Sequence, residues 1–248
     1  GASENAFESY FGRAHYSYKS KYLMSATLRY DKLSALPWGN QAATLPGASL
    51  GWRVSEEDFF QSSFISDLKI RGSWAKVGNT EIGNYPFAGI YDASQYGTSN
   101  GMYYSQIANP NLRFETSQKF DLGIDAGFIN NRITLIADYF YNNIDNLILA
   151  APTPPTLGVP ANRIFRNVGA MYNRGFEFGI SSLNIDKENF SWNSNINITF
   201  VKNRVKQLFE GQEINFTYHT VREGESIGSF FGYVSRGVNP ANGNPLFE

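Results

Sequence analysis

At 248 residues the chain has room for one large β domain or two small ones. Its 21 Lys and Arg against 22 Asp and Glu leave a net charge of −1, which excludes a general nucleic-acid binder dependent on a basic surplus. The absence of cysteine excludes a disulfide framework and a thiolate metal site, and no apolar run approaches the roughly 20 residues of a membrane-crossing helix.

The first predicted strand runs from Tyr10 to Tyr18, with Tyr10, Gly12, Ala14, Tyr16 and Tyr18 on one face and Arg13, His15 and Ser17 on the other. A tight turn at Lys19-Ser20-Lys21 leads into Tyr22 to Asp31. There Tyr22, Met24, Ala26, Leu28 and Tyr30 oppose Ser25, Thr27, Arg29 and Asp31. A longer segment, Lys32 to Thr44, precedes a strand whose apolar side is Ala48, Leu50, Trp52 and Val54. Ser55-Glu56-Glu57-Asp58 predicts a short helical turn capped by Ser55.

The strand from Asp67 to Val77 sets Leu68, Ile70, Gly72 and Trp74 against Lys69, Arg71, Ser73 and Ala75. A Gly-, Asn- and Tyr-rich excursion follows, from Gly78 to about Arg113. Phe120, Leu122, Ile124, Ala126 and Phe128 then oppose Lys119, Asp121, Gly123, Asp125 and Gly127, and Asn130-Asn131 predicts a hairpin. The return strand carries Ile133, Leu135, Ala137, Tyr139 and Tyr141 against Thr134, Asp138 and Asn142. From Asn143 to about Tyr172 a long loop is expected, because Pro152, Pro154, Pro155 and Pro160 oppose a regular strand.

Phe176, Phe178 and Ile180 oppose Gly175, Glu177 and Ser181, and a turn over Asn184 to Asn189 leads to the most two-faced stretch of the chain. There Phe190, Trp192, Ile196, Ile198 and Phe200 share one face, interrupted by Ser194, and Ser191, Asn193, Asn195, Asn197 and Thr199 share the other. One further hairpin is expected between Tyr218 and Val238, bending near Gly224.

Charged residues make up 17% against the roughly 25% of soluble domains, and aromatics reach 16%. A polar face built of Asn, Ser and Thr, with aromatics at strand ends, fits a strand between lipid and a wet lumen better than a soluble sandwich. Mean hydropathy is −0.34, as barrel strands allow, since half of their residues face water. Connections alternate between short and long, as in an up-and-down barrel whose two ends are trimmed and elaborated; an immunoglobulin-like sandwich has no such rule. The expectation is therefore an all-β, antiparallel up-and-down transmembrane barrel of about eight to ten strands in this segment. Gly1 opens near a strand and Glu248 follows a loop-like Asn-Gly-Asn-Pro stretch, so both ends read as cut from something longer.

Several stretches, in order, resemble the SusC/RagA family of TonB-dependent outer-membrane transporters. They are Lys21 to Asp31 (KYLMSATLRYD), Leu45 to Glu57 (LPGASLGWRVSEE), Ile65 to Trp74 (ISDLKIRGSW) with Gly78-Asn79, and Ile82 to Tyr85 (IGNY). The series continues through Asn109 to Thr116 (NPNLRFET), Asp121 to Asp125 (DLGID), Asn131 to Leu135 (NRITL), Asn167 to Gly169 (NVG), Asn173 to Glu177 (NRGFE) and Ile227 to Tyr233 (IGSFFGY). The resemblance implies that residues 1–248 are part of one barrel of about 22 strands, with the plug, the TonB box and the closing strand outside this segment. It implies import of a nutrient, oligosaccharide or peptide, driven through TonB, ExbB and ExbD, with a SusD-like surface lipoprotein as lid. Outer-membrane lipid and a second such pair of subunits are its further implied partners; no cofactor is implied. The Lys32 to Ala43 stretch, with Leu33, Leu36, Pro37 and Trp38, departs from the family's usual polar segment.

Arg29, Asp31, Lys69, Arg71, Lys119, Asp121, Asp125, Asp138 and Glu177 are expected to face the lumen, either pairing across strands or lining a substrate path. Trp38, Tyr85, Tyr91, Tyr96, Tyr103 and Tyr104 lie in loops, where rings stack on sugars, meet a lid or fold the loop on itself. Gly47-Ala-Ser49-Leu-Gly51 matches G-x-S-x-G, and Asp121 or Asp138 with His219 would complete a hydrolase order. That motif acts only on a strand-to-helix elbow, and here it sits inside an alternating strand, so no enzyme is expected. His15 and His219 lack the spacing of a metal site, and Asn239, Asn242, Gly243 and Asn244 read as a turn rather than a calcium loop. The competing functions are a SusC-like structural subunit of an envelope assembly or secretion machine, a surface β-sheet glycan-binding module, and a hydrolase using Ser49.

Overall fold

The computed structural model describes residues 4–248. β1 (Phe7–Tyr18), β2 (Tyr22–Leu33), β3 (Ala42–Arg53) and β4 (Ile65–Asn79) form an antiparallel meander. The chain then leaves the sheet for a separate hairpin, β5 (Ile90–Tyr96) and β6 (Ser99–Gln106). It returns as β7 (Glu115–Phe128), β8 (Ile133–Pro152), β9 (Arg163–Lys187) and β10 (Phe190–Gln207). The order β1-β2-β3-β4-β7-β8-β9-β10 makes one eight-stranded sheet. Beyond it, β11 (Ile214–Asn215), β12 (His219–Val221) and β13 (Ser229–Phe230) form a small sheet, and β14 (Ser235–Val238) pairs with β15 (Pro245–Phe247).

At one end of the sheet three of the turns are tight, and the fourth connection, 54–64, carries a 3-10 turn. Lys19 and Ser20 both take positive φ, 50° and 54°, and the Lys21 N–H closes this three-residue connection on the Tyr18 carbonyl at 3.0 Å. Ile129, Asn130 and Asn131 all have positive φ between β7 and β8, so the expected hairpin forms where Asn tolerates the left-handed region. The other end carries the excursions.

Several boundaries differ from the sequence reading. The Lys32–Thr44 segment shrinks to 34–41, since β2 continues to Leu33 and β3 starts at Ala42. The long loop expected over Asn143–Tyr172 is mostly strand: β8 continues to Pro152, which pairs with Arg163, and only 153–162 is loop. Pro152 ends its strand, where a missing donor costs little, and bulges after Ile144 and Leu147 absorb the irregularity, with Asn146 at φ 57°. The turn expected over Asn184–Asn189 contracts to Glu188-Asn189. A 3-10 turn does occupy Val54–Glu56, but Arg53 precedes it and no side chain caps it; Ser55 instead donates to Asp67 Oδ1 at 2.8 Å. The hairpin expected at Tyr218–Val238 forms as β12 and β13 around a bend at Gly224, shorter than expected.

Burial is inverted relative to a water-soluble fold. Leu28, Leu50, Leu122, Ile124, Phe176, Ile196, Ile198 and Phe200 lie exposed on one face of the sheet. The buried cluster, Leu33, Ala35, Leu36, Leu112 and Phe114, sits instead at the excursion end, with Ala43, Ile82, Phe87 and Ile148 packed on it. It ties the β2–β3 loop, both flanks of the hairpin excursion and β8 to one another. This explains the apolar residues of the Lys32–Ala43 stretch: Leu33 and Leu36 anchor the loop, whereas Trp38 projects from it, 88% exposed.

Candidate functional site

The register places every candidate wall charge on the same, polar face. Across the sheet Gly51 faces Arg71, then Gly123, Asp138, Glu177 and Thr199. One step along the strands the row reads Arg53, Lys69, Asp125, Ile136, Gly179 and Asn197. One step the other way it reads His15, Ser25, Ser49, Ser73, Asp121, Phe140, Gly175 and Val201.

Within this face the charges divide into two groups. Arg71 Nε lies 3.1 Å from Asp125 Oδ1 and its Nη2 2.7 Å from Asp138 Oδ2, while Lys69 Nζ is 3.4 Å from Asp125 Oδ2. The reach from β4 to β8 requires Gly123 between them: a Cβ there would run into Asp138 Oδ1 and the Arg71 guanidinium. Arg29 pairs with Asp31 at 3.2 Å, and Ser9 Oγ donates to the buried Asp31 at 2.5 Å. These are braces of the wall. Lys119, Asp121 and Glu177, by contrast, make no ion pair among the described residues, and Lys119 and Glu177 are exposed. Asp121 helps line a hollow of about 310 Å³ with His15, Ser49, Lys69, Arg71 and Ser73. Leu23, Met24 and Leu50 line it as well, and its polar lining offers hydroxyl, carboxylate and cationic partners to a polar group.

The G-x-S-x-G match has no hydrolase geometry. Ser49 lies within β3, its Oγ 2.6 Å from that of Ser25. His219 lies on β12, outside the main sheet, stacked on Phe216 at 4.3 Å between ring centroids. Among the described residues no group of three His, Asp or Glu side chains is placed to hold a metal ion. Asn239 Oδ1 accepts the Ala241 N–H at 2.9 Å and Asn242 Oδ1 the Asn244 N–H at 3.0 Å, which makes this segment a self-bonded turn.

Loop aromatics also separate. Tyr91 and Tyr104 pack on each other with centroids 4.6 Å apart, and the Tyr104 hydroxyl accepts the Ala108 N–H at 3.0 Å. Tyr85 takes a positive φ of 48°, meets Phe87, and its carbonyl accepts from Gln106 Nε2. These three rings make contacts that fold the excursion, although Tyr91 keeps 62% of its surface exposed. Tyr96 and Tyr103 lie on the other face of the hairpin, 90% and 52% exposed.

One organising residue escapes a sequence reading. Asn167 Oδ1 accepts the Arg113 N–H at 2.9 Å, and its Nδ2 donates to Arg113 O at 2.8 Å and Asn146 O at 2.9 Å. Asn79 Nδ2 donates to Glu115 Oε1 at 3.1 Å, and Glu115 Oε2 accepts the Ile148 N–H at 3.3 Å. The NPNLRFET and NVG stretches are thus two halves of one clamp at the root of the excursion. Their motif character is the only sequence signal for it.

At the tight-turn end, Glu57 accepts from Tyr22 Oη at 2.6 Å, Trp52 Nε1 at 3.0 Å and Lys21 Nζ at 3.2 Å. These donors, the Tyr22 hydroxyl foremost, hold its carboxyl down at about 2.

Comparison with known proteins agrees with this architecture. The sequence profile of the TonB dependent receptor-like β-barrel family matches residues 2–244. A TonB-dependent receptor of Formosa agariphila is 34% identical over 251 residues, covering 95% of this chain and 25% of that protein. TonB-dependent receptor SusC of Bacteroides thetaiotaomicron is 32% identical over 269 residues, 99% of this chain and 26% of its own. A solved structure of the RagAB peptide transporter shares the fold, with a TM-score of 0.90 at 23% identity over 98% of this chain and 27% of that one. The chain therefore spans about a quarter of the length of these relatives. Its continuous meander, exposed apolar face and ion-paired polar face make it a partial wall of an outer-membrane barrel, and the chain belongs to the TonB-dependent receptor-like β-barrel family.

Proposed function

We propose that this segment is wall and mouth of an active outer-membrane importer of a nutrient, an oligosaccharide or a peptide, and takes no part in covalent chemistry. The observation that carries this is the division of the polar face: a braced set, Arg71 with Asp125 and Asp138, beside an unpaired set, Lys119, Asp121 and Glu177. A wall built only for rigidity has no need of unpaired charges, whereas a solute path uses them as exchangeable partners. The exposed rings of Tyr96 and Tyr103 stand at the mouth, where a sugar ring or a SusD-like lid lipoprotein would meet them. Energy would come through TonB, ExbB and ExbD acting on parts of the protein outside this segment.

The test is uptake in cells carrying the full-length gene, its deletion, and a lid-lipoprotein deletion, with labelled oligosaccharide and peptide pools. Uptake of one pool should vanish with the gene and on collapse of the proton-motive force. Uptake of both pools that survives either treatment would show that the protein is not their importer.

A further inference from the structure

On the apolar face of β9 and β10, the belt of Ile196, Ile198, Phe200, Phe176 and Phe178 ends abruptly in cations. Lys202 is the register partner of Arg174, two residue pairs beyond Phe200 and Phe176 towards the excursion end and so the next pair on the same face. Arg204 follows on the same face, opposite Tyr172. Like charges directly opposite each other destabilise a ladder. No carboxylate lies within ion-pair distance of Arg174, Lys202 or Arg204 among the described residues, and all three are exposed. Arg174 stands over the Tyr172 ring at 5.5 Å, leaning away from the belt. Between the cations and the belt lies a hollow of about 400 Å³, lined by Tyr139, Arg174, Phe176, Phe200 and Lys202.

In a barrel wall this face meets lipid, and the end with long loops is the outer one. Cations on a lipid-facing wall are tolerated only near the interface, which is where the end of the belt places them. We propose that Arg174 and Lys202 form a site for the phosphate of a phosphorylated glycolipid in the outer leaflet, with its acyl chains along Phe176 and Phe200. A phosphate group removes the repulsion of the facing pair: the guanidinium fork takes two of its oxygens and the ammonium a third. Phenyl rings directly below supply the apolar half, which a free anion would leave unused. The site is independent of solute import, because it lies on the opposite face of the wall from Asp121 and Glu177.

The experiment uses the full-length protein in detergent micelles with three probes: lipid A, its dephosphorylated form and inorganic phosphate. Saturable binding of lipid A is expected, with both other probes at least about tenfold weaker. Arg174→Gln with Lys202→Gln should weaken lipid A binding about tenfold, and Arg174→Gln alone severalfold. Arg13→Gln, which removes a cation from the polar face, should leave it unchanged. Gel mobility before and after heating reports whether each variant is assembled, and the single variant decides if the double one is not. Wild-type lipid A affinity in the assembled variants overturns the proposal. Equal binding of the dephosphorylated lipid overturns it as well, and equal binding of inorganic phosphate reduces the site to one for free anions and overturns the lipid assignment.

Discussion

Arg71 on β4 passes over the bare backbone of Gly123 on β7 and places its Nη2 2.7 Å from Oδ2 of Asp138 on β8. Two strands that do not pair are thereby braced through the one between them. Asp138 is deep in the wall, its Oδ1 buried and without a hydrogen-bond partner, so the charge of Arg71 is its main compensation. Gly123→Ala should separate the pair, because the added Cβ meets both groups. The expected loss is about 1 kcal/mol, discounted because Arg71 is partly exposed. It is read as a lower unfolding temperature of the full-length barrel in detergent. In an Asp138→Asn background the same change should cost clearly less; equal costs in the two backgrounds would mean that Gly123 has no part in the brace.

The two faces of β10 make opposite demands. Ile196→Asp puts a carboxylate on the apolar face at mid-strand, where it should cost about 1–2 kcal/mol and reduce the membrane-assembled fraction. Asn195→Asp lies on the polar face and should assemble normally. Quantifying heat-modifiable protein in the outer membrane checks both, and equal defects would reverse the assignment of faces.

Glu57 links stability to pH. Its folded carboxyl is held at about 2 against 4.5 for the unperturbed group, chiefly by the Tyr22 hydroxyl, then by Trp52 and Lys21. A depressed value means a contribution that is complete above pH 4.5 and is lost as the pH falls towards 2. The wild type should therefore melt above Glu57→Gln at pH 7, and the gap should narrow between pH 4.5 and 2. A gap that stays constant over this range would exclude the linkage.

Asn167 clamps the root of the excursion through three hydrogen bonds to the Arg113 and Asn146 backbones. Asn167→Ala should cost about 1–3 kcal/mol locally. Hydrogen exchange should rise at amides around Arg113 and Leu112 and stay unchanged in β1 to β3. Uniformly faster exchange would instead indicate a global role.

Braced and unpaired charges should behave differently in transport. Asp121→Asn, with no ion pair to lose, should leave the melting temperature unchanged while altering uptake of the native solute severalfold. Asp125→Asn removes the partner of both Lys69 and Arg71 and should lower the melting temperature. If Asp121→Asn changes neither readout, the hollow beside His15 and Ser73 is not part of the path.

Much of the wall was legible from alternation alone. A period of two assigns each side chain to a face, so Arg71, Asp125 and Asp138 could be placed on the polar side before any pairing was known. The alternation of short and long connections holds less well than read: 54–64, expected to be short, is longer than 34–41 and 153–162, because those two loops lost residues to the strands. Prolines misled over Asn143–Tyr172, since a proline at a strand end, such as Pro152, removes a donor that nothing there requires. The folding of the tyrosine-rich excursion into β5 and β6 was not visible, because its Gly, Asn and Ser content reads as loop, whereas the hairpin is held by the Tyr91–Tyr104 packing and by Gln106 bonding back to the Tyr85 and Ala88 carbonyls.

The sequence by itself determined the two solvents of the wall, which follow from local periodicity, and the barrel class, which follows from the pattern of its connections together with that periodicity. Only the tertiary structure decided which charges meet. Arg71 and Asp138 are 67 residues apart, and their contact depends on a register that sets Gly123 between them. The same register turns Arg174 and Lys202 from two isolated basic residues into a facing pair at the rim of the lipid belt. Pairing across strands is a long-range property, fixed by how whole strands align rather than by what stands next to a residue in the chain.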